Sequence, residues 1–259
     1  MTRVSDLAPF QKRIAERSRQ KNSRIVLSLD PTPSHDPKKF ALKSIDGLYR
    51  HVCAVKLNFH LILPLSLADL TEINELAHAR GLECIADIKL NDIGNTNRIA
   101  IQYLLEMGFD AVIVNPLIGK VALKSAVKQT HERDCGIITL TYMSHPGTRE
   151  YYGAEVINHR TGRIAKLYKM FLSLAIDVKA DGIVVGANQS DILKEISHVR
   201  KIPIFSPGIG IQGGRMDQAI KNGTNYFIVG RSIIASANPL RAAKKFQQLA
   251  VPYNSNFKI

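Results

Sequence analysis

Eight short apolar runs, separated by segments with helical spacing, constrain the fold of this 259-residue chain more than any other feature. The runs are rich in β-branched residues and nearly continuous in apolar character, as is typical of parallel strands buried on both faces. Eight strand–helix units favour an α/β fold, a (β/α)8 TIM barrel, over a doubly wound sheet of two lobes. The runs are Arg24–Asp30, Cys53–Leu57, Glu83–Lys89, Asp110–Asn115, Gly136–Tyr142, Gly182–Gly186, Pro203–Ser206 and Tyr226–Gly230.

The N-terminal segment predicts an extra surface helix in front of the barrel. It is charged throughout and lacks the apolar centre of a signal peptide, and no run approaches the roughly 20 apolar residues of a membrane span. Leu7, Phe10 and Ile14 fall on one side of this helix, with Ser5 or Asp6 as its N-cap. We expect no membrane association. Because no linker rich in Pro, Gly or Ser divides the chain, we expect residues 1–259 to form one barrel domain.

Charge and cysteine content limit the classes of partner. The formal charge of +13 favours anionic partners, but the basic residues are spread along predicted helices without a basic tail or a stripe with interleaved aromatic residues. This distribution indicates a solvated surface and a small anionic substrate, not nucleic acid. Cys53, Cys84 and Cys135 are too few and too scattered for a disulfide framework or a zinc site. We therefore expect these cysteines to be free thiols, as is typical of the reducing cytosol, and predict a cytoplasmic protein.

Charged residues crowd the end of the third strand, where the loops of a barrel active site begin. Alternate strand residues face the same side, so Asp87 and Lys89 point into the same space, and Asp92 follows just beyond. A lysine flanked by carboxylates stays protonated, because nearby negative charge favours its charged form. The segment therefore predicts an oriented proton donor. An ion-pair cluster that fixes the strand register is the structural alternative.

Other polar residues fall at the ends of the first, second and fifth strands, and no histidine does so. Asp30 ends the first strand, Lys56 and Asn58 belong to the second, and Ser144 follows the fifth. Carboxylates of Asp30, Asp87 and Asp92 are suitable oxygen ligands for a divalent metal. However, Lys56 and Lys89 already supply positive charge there and oppose a cation, so we predict chemistry without a metal or other cofactor.

Two glycine-containing segments, after the seventh and eighth strands, predict a phosphate site. Glycines let the backbone approach a ligand closely, and amide groups at a helix N-terminus favour an anion. Barrel phosphate sites often follow these two strands, whereas the spacing fits neither a dinucleotide fingerprint nor a P-loop. The predicted contributors are Pro207, Gly208, Gly210, Gln212, Gly230 and Arg231.

The connection after Tyr142 is the longest between two predicted strands. Its first part, Met143–Gly162, is polar and contains Pro146 and three glycines. A long insertion at the C-terminal end of a barrel strand predicts a lid over the substrate.

Taken together, these motifs resemble the signature of the orotidine 5′-phosphate decarboxylase family. The strand-three motif alone is shared by a wider superfamily, but its combination with the other loops is much more specific. The matches run in family order from Leu29-Asp30 to the eighth strand and cover most of the chain. They are Asp87-x-Lys89-x-x-Asp92-Ile93 with Thr96, Ser144-His145-Pro146-Gly147, Ser206-Pro207-Gly208-Ile209-Gly210-Ile211-Gln212-Gly213-Gly214 and Val229-Gly230-Arg231-Ser232-Ile233.

The resemblance implies decarboxylation of orotidine 5′-monophosphate to UMP, the last step of de novo pyrimidine biosynthesis, in a homodimer with shared active sites. Lys89 would protonate C6 as carbon dioxide leaves, and Asp87 would lie against the departing carboxylate. Lys56 and Asp30 would hold the ribose hydroxyls. Asp92 and Thr96 would reach the active site of the neighbouring subunit, and Ser144 would contact the pyrimidine. The 5′-phosphate would be bound by Gln212, Arg231 and the backbone of Gly210 and Gly230.

Two alternatives stay open at this stage. The first is a sugar-phosphate aldolase or decarboxylase of the same superfamily, such as hexulose-phosphate synthase, which uses a similar strand-three motif with magnesium. That alternative predicts a further acidic metal ligand on strand two, where this chain has Lys56. A non-catalytic phosphate- or RNA-binding barrel is favoured by the net charge alone. It predicts binding that weakens with salt and does not depend on Lys89.

Overall fold

Ten strands lie in the part of the chain that the computed structural model describes, residues 9–31, 36–158, 161–199 and 202–250. Eight of them are parallel and form the barrel, and β6 and β7 form a separate antiparallel hairpin. The strands are β1 (Ile25–Leu29), β2 (Ala54–Asn58), β3 (Glu83–Leu90), β4 (Ala111–Val114), β5 (Gly136–Tyr142), β6 (Glu155–Ile157), β7 (Ile164–Lys166), β8 (Gly182–Val185), β9 (Ile204–Pro207) and β10 (Tyr226–Val229).

Helices follow the barrel strands and surround them. In chain order they are α1 (Pro9–Gln20), α2 (Pro37–Leu48), α3 (Phe59–Ile62), α4 (Leu67–Ala79), α5 (Gly94–Glu106), α6 (Gly119–His131), α7 (Thr148–Tyr151), α8 (Leu167–Asp177), α9 (Ser190–Ser197), α10 (Met216–Lys221), α11 (Arg231–Ile234) and α12 (Pro239–Ala250). In the described part of the chain, 3-10 turns also occur at Tyr49–His51 and Pro116–Ile118. No helix in these described stretches is long and apolar enough to cross a membrane.

The barrel closes because β1 pairs with both β2 and β10. The strand order around it is β1-β2-β3-β4-β5-β8-β9-β10, and every neighbouring pair is parallel. The predicted (β/α)8 barrel is therefore confirmed, and the doubly wound sheet is wrong because such a sheet has two open edges. All eight predicted runs form barrel strands, which shows that continuous apolar character identified strands buried on both faces.

Strand side chains divide into two packed layers. On β3, Ile85 belongs to the cluster inside the barrel, whereas Cys84 and Ala86 belong to the cluster between the strands and the helices. This division follows from the alternation of side chains along a strand. Cys53 and Cys84 are buried and Cys135 is partly buried, and all three are free thiols.

Helix α1 closes the N-terminal end of the barrel. Phe10 and Ile14, which are 0% and 1% exposed, join the cluster inside the barrel. A Cβ atom at Gly136 would lie 2.7 Å from the Phe10 ring, so this glycine makes room for it. Arg13 donates to Glu83 and to Asp110, each at 3.0 Å. The extra helix is thus a floor and not only a surface helix; its predicted caps Ser5 and Asp6, and Leu7, lie outside the described residues.

The long connection after β5 contains α7 and the β6–β7 hairpin. Tyr152, at the base of this insertion, packs 6.0 Å from the ring centres of Tyr142 and Phe171. Cross-strand partners Ile157 and Ile164 are both exposed on the hairpin. Its role as a lid stays a prediction.

Replacing Phe10 with Ala should destabilise the protein, because it removes a fully buried ring and leaves a cavity in the barrel floor. We expect the free energy of unfolding to fall by roughly 3–5 kcal/mol, measured by urea denaturation. Lys12→Ala, on the exposed side of the same helix, is the matched control and should change little. Equal stabilities of the Phe10→Ala variant and the parent would show that α1 does not seal the barrel.

Candidate active site

A cavity of about 740 Å³ opens at the C-terminal ends of the barrel strands. Parallel strands bring these ends to one mouth, so residues far apart in the sequence become neighbours. Ten of the predicted site residues line the cavity together. They are Asp30, Lys56, Asp87, Lys89, Ser144, Pro207, Gly208, Gln212, Gly230 and Arg231.

A chain of alternating charges crosses the floor of this cavity. The Asp87 carboxylate accepts hydrogen bonds from Lys56 Nζ at 2.5 Å and from Lys89 Nζ at 2.7 Å. Lys56 Nζ also donates to Asn58 Oδ1. The Lys56 and Asp87 side chains are 5% and 10% exposed, whereas that of Lys89 is 42% exposed. The arrangement therefore presents one ammonium group to the open cavity and buries the other.

Electrostatics keep Asp87 ionised despite its burial. Burial alone would raise the pKa of Asp87, but the two ammonium groups of Lys56 and Lys89 lower it to about 2. The carboxylate can thus orient Lys89 throughout the neutral pH range. A charged, partly exposed ammonium held in one direction is suited to stabilise negative charge that develops in the cavity.

The backbone at Lys89 is irregular. Its φ of +48° lies in the left-handed region, which is uncommon for a residue with a side chain. The pairing of β3 with β4 shifts register between Ala86 and Leu90, so a bulge interrupts the strand at this point. Bulges re-aim side chains next to active sites, and here the irregular strand end turns Lys89 toward the mouth.

Gly230, at the end of β10, lies against the end of β1. A Cβ atom at this position would be 2.3 Å from Asp30 Oδ2 and 3.1 Å from Ser28 Cβ. Any side chain would therefore displace Asp30 from its place in the cavity wall. Arg231 follows at once as the first residue of α11 and lines the same wall.

The loop after β9 folds back on itself through three glycines with left-handed φ, Gly208, Gly210 and Gly213. Gly210 donates its backbone N–H to Gly214 and lies against Ser232, since a Cβ there would be 2.4 Å from Ser232 Oγ. Gly210 supports the loop from behind and is not among the cavity-lining residues. Ser144 Oγ donates to Gln212 Oε1 at 3.0 Å and so joins this loop to the one after β5.

Asp92 and Thr96 do not line this cavity; both are exposed. Asn97 holds the backbone of Asp92 through two hydrogen bonds: its Oδ1 accepts from the Asp92 N–H, and its Nδ2 donates to the Asp92 carbonyl. The segment is thus anchored, and the carboxylate of the exposed Asp92 accepts a hydrogen bond from the Ile93 N–H at 2.7 Å.

The carboxylates of Asp30, Asp87 and Asp92, which are suitable metal ligands by type, do not come together as one group of three. Among the described residues, the three potential ligands that come within 4.8 Å of one another are His78, Cys84 and Asp110, at the N-terminal side of the barrel. There the Asp110 carboxylate already accepts hydrogen bonds from Arg13, His78 and the Cys84 backbone. These hydrogen bonds satisfy the Asp110 carboxylate without a metal.

Sequence reasoning missed several cavity residues. His60 and His145 line the mouth although no histidine was expected there; His60 lies in α3, directly after β2, and His145 follows Ser144. Asn58 was noted at the end of β2 but received no role. It accepts from both Ser28 and Lys56, so the strand-end rule was sufficient to find it. Apolar lining residues such as Leu140 carry no sequence signal that separates them from the core.

Comparison with known proteins gives one consistent family. A model of the orotidine 5′-phosphate decarboxylase / HUMPS family matches residues 23–246. The chain is 36% identical over 223 residues to the orotidine 5′-phosphate decarboxylase of Pyrococcus abyssi, which covers 85% of this chain and 96% of that relative.

Solved structures extend the similarity to the fold. Orotidine 5′-monophosphate decarboxylase of Methanocaldococcus jannaschii, complexed with the inhibitor BMP, aligns with a TM-score of 0.75 at 28% identity and covers 88% of this chain and 98% of that one. The Plasmodium berghei enzyme aligns with a TM-score of 0.76 and covers 95% of this chain and 99% of that one. Its identity of 18% supports the fold alone.

Lys56→Met should raise the pKa of Asp87 above about 2, because the buried carboxylate keeps only Lys89 as a partner. We expect the free energy of unfolding at neutral pH to fall by roughly 3 kcal/mol, as when one partner of a buried ion pair is removed. Carboxyl-carbon NMR during a pH titration measures the first effect and urea denaturation the second. Lys38→Met, in an exposed ion pair with Asp69 and Glu72, is the control and should have little effect. An unchanged Asp87 titration would contradict the prediction.

Proposed function

The chain belongs to the orotidine 5′-phosphate decarboxylase / HUMPS family, and on that premise we propose that its cavity converts orotidine 5′-monophosphate to UMP and carbon dioxide, the last step of de novo pyrimidine biosynthesis. The observation that carries the proposal is the Asp87 carboxylate shared by Lys56 and Lys89, with the Lys89 ammonium open to the cavity. This arrangement supplies a proton donor that is charged, fixed and accessible.

Decarboxylation breaks the bond between C6 and the carboxylate carbon, and its electron pair stays on C6. Carbon dioxide leaves, and Lys89 transfers a proton to C6, so atoms and charge balance without an oxidant or cofactor. The carbanion has no adjacent electron sink, so the Lys89 ammonium stabilises charge that develops only in the transition state. Asp87 lies against the departing carboxylate and keeps Lys89 oriented.

The rest of the cavity holds the nucleotide in place. Asp30 and Lys56 bind the ribose hydroxyls, and Ser144 contacts the pyrimidine. At the other wall, the 5′-phosphate is bound by Arg231, Gln212 and the backbone of Gly208 and Gly230, and Pro207 forms part of the same wall. Gly210 contributes through the loop conformation that it supports. The phosphate is remote from C6, and the binding energy of its contacts offsets the free-energy cost of orienting the reacting centre.

We further propose a homodimer in which Asp92 and Thr96 complete the partner's site. They lie beside a rim of exposed apolar side chains at the ends of β2, β3 and β4, three adjacent barrel strands. Exposed apolar surface of this kind marks a contact with another protein. The rim consists of Phe59, Leu63, Ile93, Leu117 and Val121, which are 56–86% exposed.

We also retain chemistry without a metal, a single domain over residues 1–259 and a cytoplasmic location as proposals.

Purified protein treated with EDTA should lower the ultraviolet absorbance of orotidine 5′-monophosphate as UMP forms. Lys89→Ala should reduce turnover by at least about 100-fold, because it removes the proton donor, while UMP binding persists by calorimetry. Lys128→Ala, an exposed lysine on α6, is the control and should be fully active. Activity abolished by EDTA and restored by magnesium would favour the aldolase-type alternative, and full turnover of Lys89→Ala would exclude Lys89 as the donor.

Mixing inactive Asp92→Ala with inactive Lys89→Ala protein should restore activity if the two residues serve one site from different subunits. Random exchange makes half of the dimers hybrids with one intact site, so we expect about a quarter of the parent activity. A mixture of Lys56→Ala and Lys89→Ala is the control and should stay inactive, since both residues belong to the same subunit's site. No recovery in the first mixture, with subunit exchange verified by mass spectrometry, would rule out a shared site.

A further inference from the structure

The turn that follows β8 touches both loops that enclose the proposed substrate. Gly186 donates its N–H to Tyr142, at the end of β5, and Ala187 donates to Pro207, at the end of β9. A Cβ atom at Gly186 would lie 2.8 Å from Ser144 Cα, so the Ser144 backbone lies directly on this turn. The turn therefore lies between the loop that carries Ser144 and the loop that carries Gln212.

Asn188, in the same turn, makes the direct link. Its Nδ2 donates to the backbone carbonyl of Ser144 at 2.8 Å. Ser144 in turn donates its hydroxyl to Gln212 Oε1 at 3.0 Å. Asn188 itself is not among the cavity-lining residues, so it acts on the cavity only through Ser144.

We propose that Asn188 is a positioning residue that fixes the Ser144 backbone, so that the Ser144 hydroxyl reaches the pyrimidine and Gln212 at the same time. The inference rests on the proposed decarboxylase function. It assigns to the β8 turn the task of keeping the base-binding and phosphate-binding loops in one arrangement.

The orientation of the Asn188 amide follows from its surroundings. If the amide were reversed, its oxygen would face the Ser144 carbonyl oxygen, and the two acceptors would repel. In the observed orientation Oδ1 is buried with no hydrogen-bond partner among the described residues. The Asn188 amide thus donates to Ser144 while its own oxygen is left unsatisfied, so the donor bond sets the orientation of the side chain.

Asn74 offers a matched comparison. Its Nδ2 donates to the Met107 carbonyl at 2.8 Å, and its Oδ1 is also buried without a partner among the described residues. Asn74 lies on α4, outside the barrel, and is not part of the cavity wall. Loss of each amide removes the same kind of hydrogen bond, but only Asn188 acts on a residue at the site.

Steady-state kinetics with orotidine 5′-monophosphate test the proposal. Asn188→Asp keeps the shape of the side chain but sets an oxygen against the Ser144 carbonyl, and Asn188→Ala removes the donor. Both should raise KM by about 10- to 100-fold, the effect expected of a small displacement of a binding group. The kcat value should change less, because Lys89 and Asp87 are untouched. Asn74→Ala should lower the Tm and leave KM unchanged.

A double-mutant cycle with Ser144→Ala separates positioning from a general loss of structure. In the Ser144→Ala background, Asn188→Ala should change KM by less than about 3-fold, since the hydroxyl that it positions is absent. Loss of folded enzyme would instead lower the apparent kcat and leave KM unchanged. An unchanged KM in the Asn188 variants, or the same KM increase in both backgrounds, would overturn the inference. The proposed function would still stand if the parent protein decarboxylates orotidine 5′-monophosphate. A parent protein without turnover would overturn both.

Discussion

The carboxylate of Asp87, shared between two ammonium groups, is the interaction on which the rest of the site depends. It is buried within β3, where an unpaired charge is strongly unfavourable, and the ion pairs with Lys56 and Lys89 offset this cost. The same contacts aim the Lys89 ammonium into the cavity. Stability and chemistry thus rest on one set of hydrogen bonds, and the ion-pair interpretation of this segment is part of the mechanism and not an alternative to it.

Closure of the barrel brings the other groups to this centre. The adjacent strands β1 and β10 place Asp30 and Arg231 on one wall, and β9 supplies the glycine loop beside them. The loop after β5 reaches this wall through the Ser144–Gln212 hydrogen bond, with the β8 turn behind it. Below, α1 seals the interior with Phe10 and Ile14, so the open end of the barrel is the one that carries the polar groups.

Much of this arrangement was accessible from the sequence because its signals are local. Continuous apolar runs located all eight barrel strands, and the site residues predicted at or just after their ends included ten that line the cavity. The errors have a common origin. His60 and His145 were missed because they follow the strand ends by two and three residues, and α1 was taken for a surface helix because its neighbours belong to distant strands. Gly210 was predicted to line the cavity but lies outside its wall, against Ser232.

The sequence by itself determined the class of fold, the strand positions and the residue types available at the mouth, because strand burial and strand alternation act over a few residues. Only the tertiary structure decided which of these groups meet. The bulge that turns Lys89, the room that Gly230 leaves for Asp30, and the Asn188 amide at the Ser144 carbonyl all depend on strands far apart in the chain. Such contacts are set by barrel closure and by the shape of neighbouring loops, and neither is encoded in a local pattern.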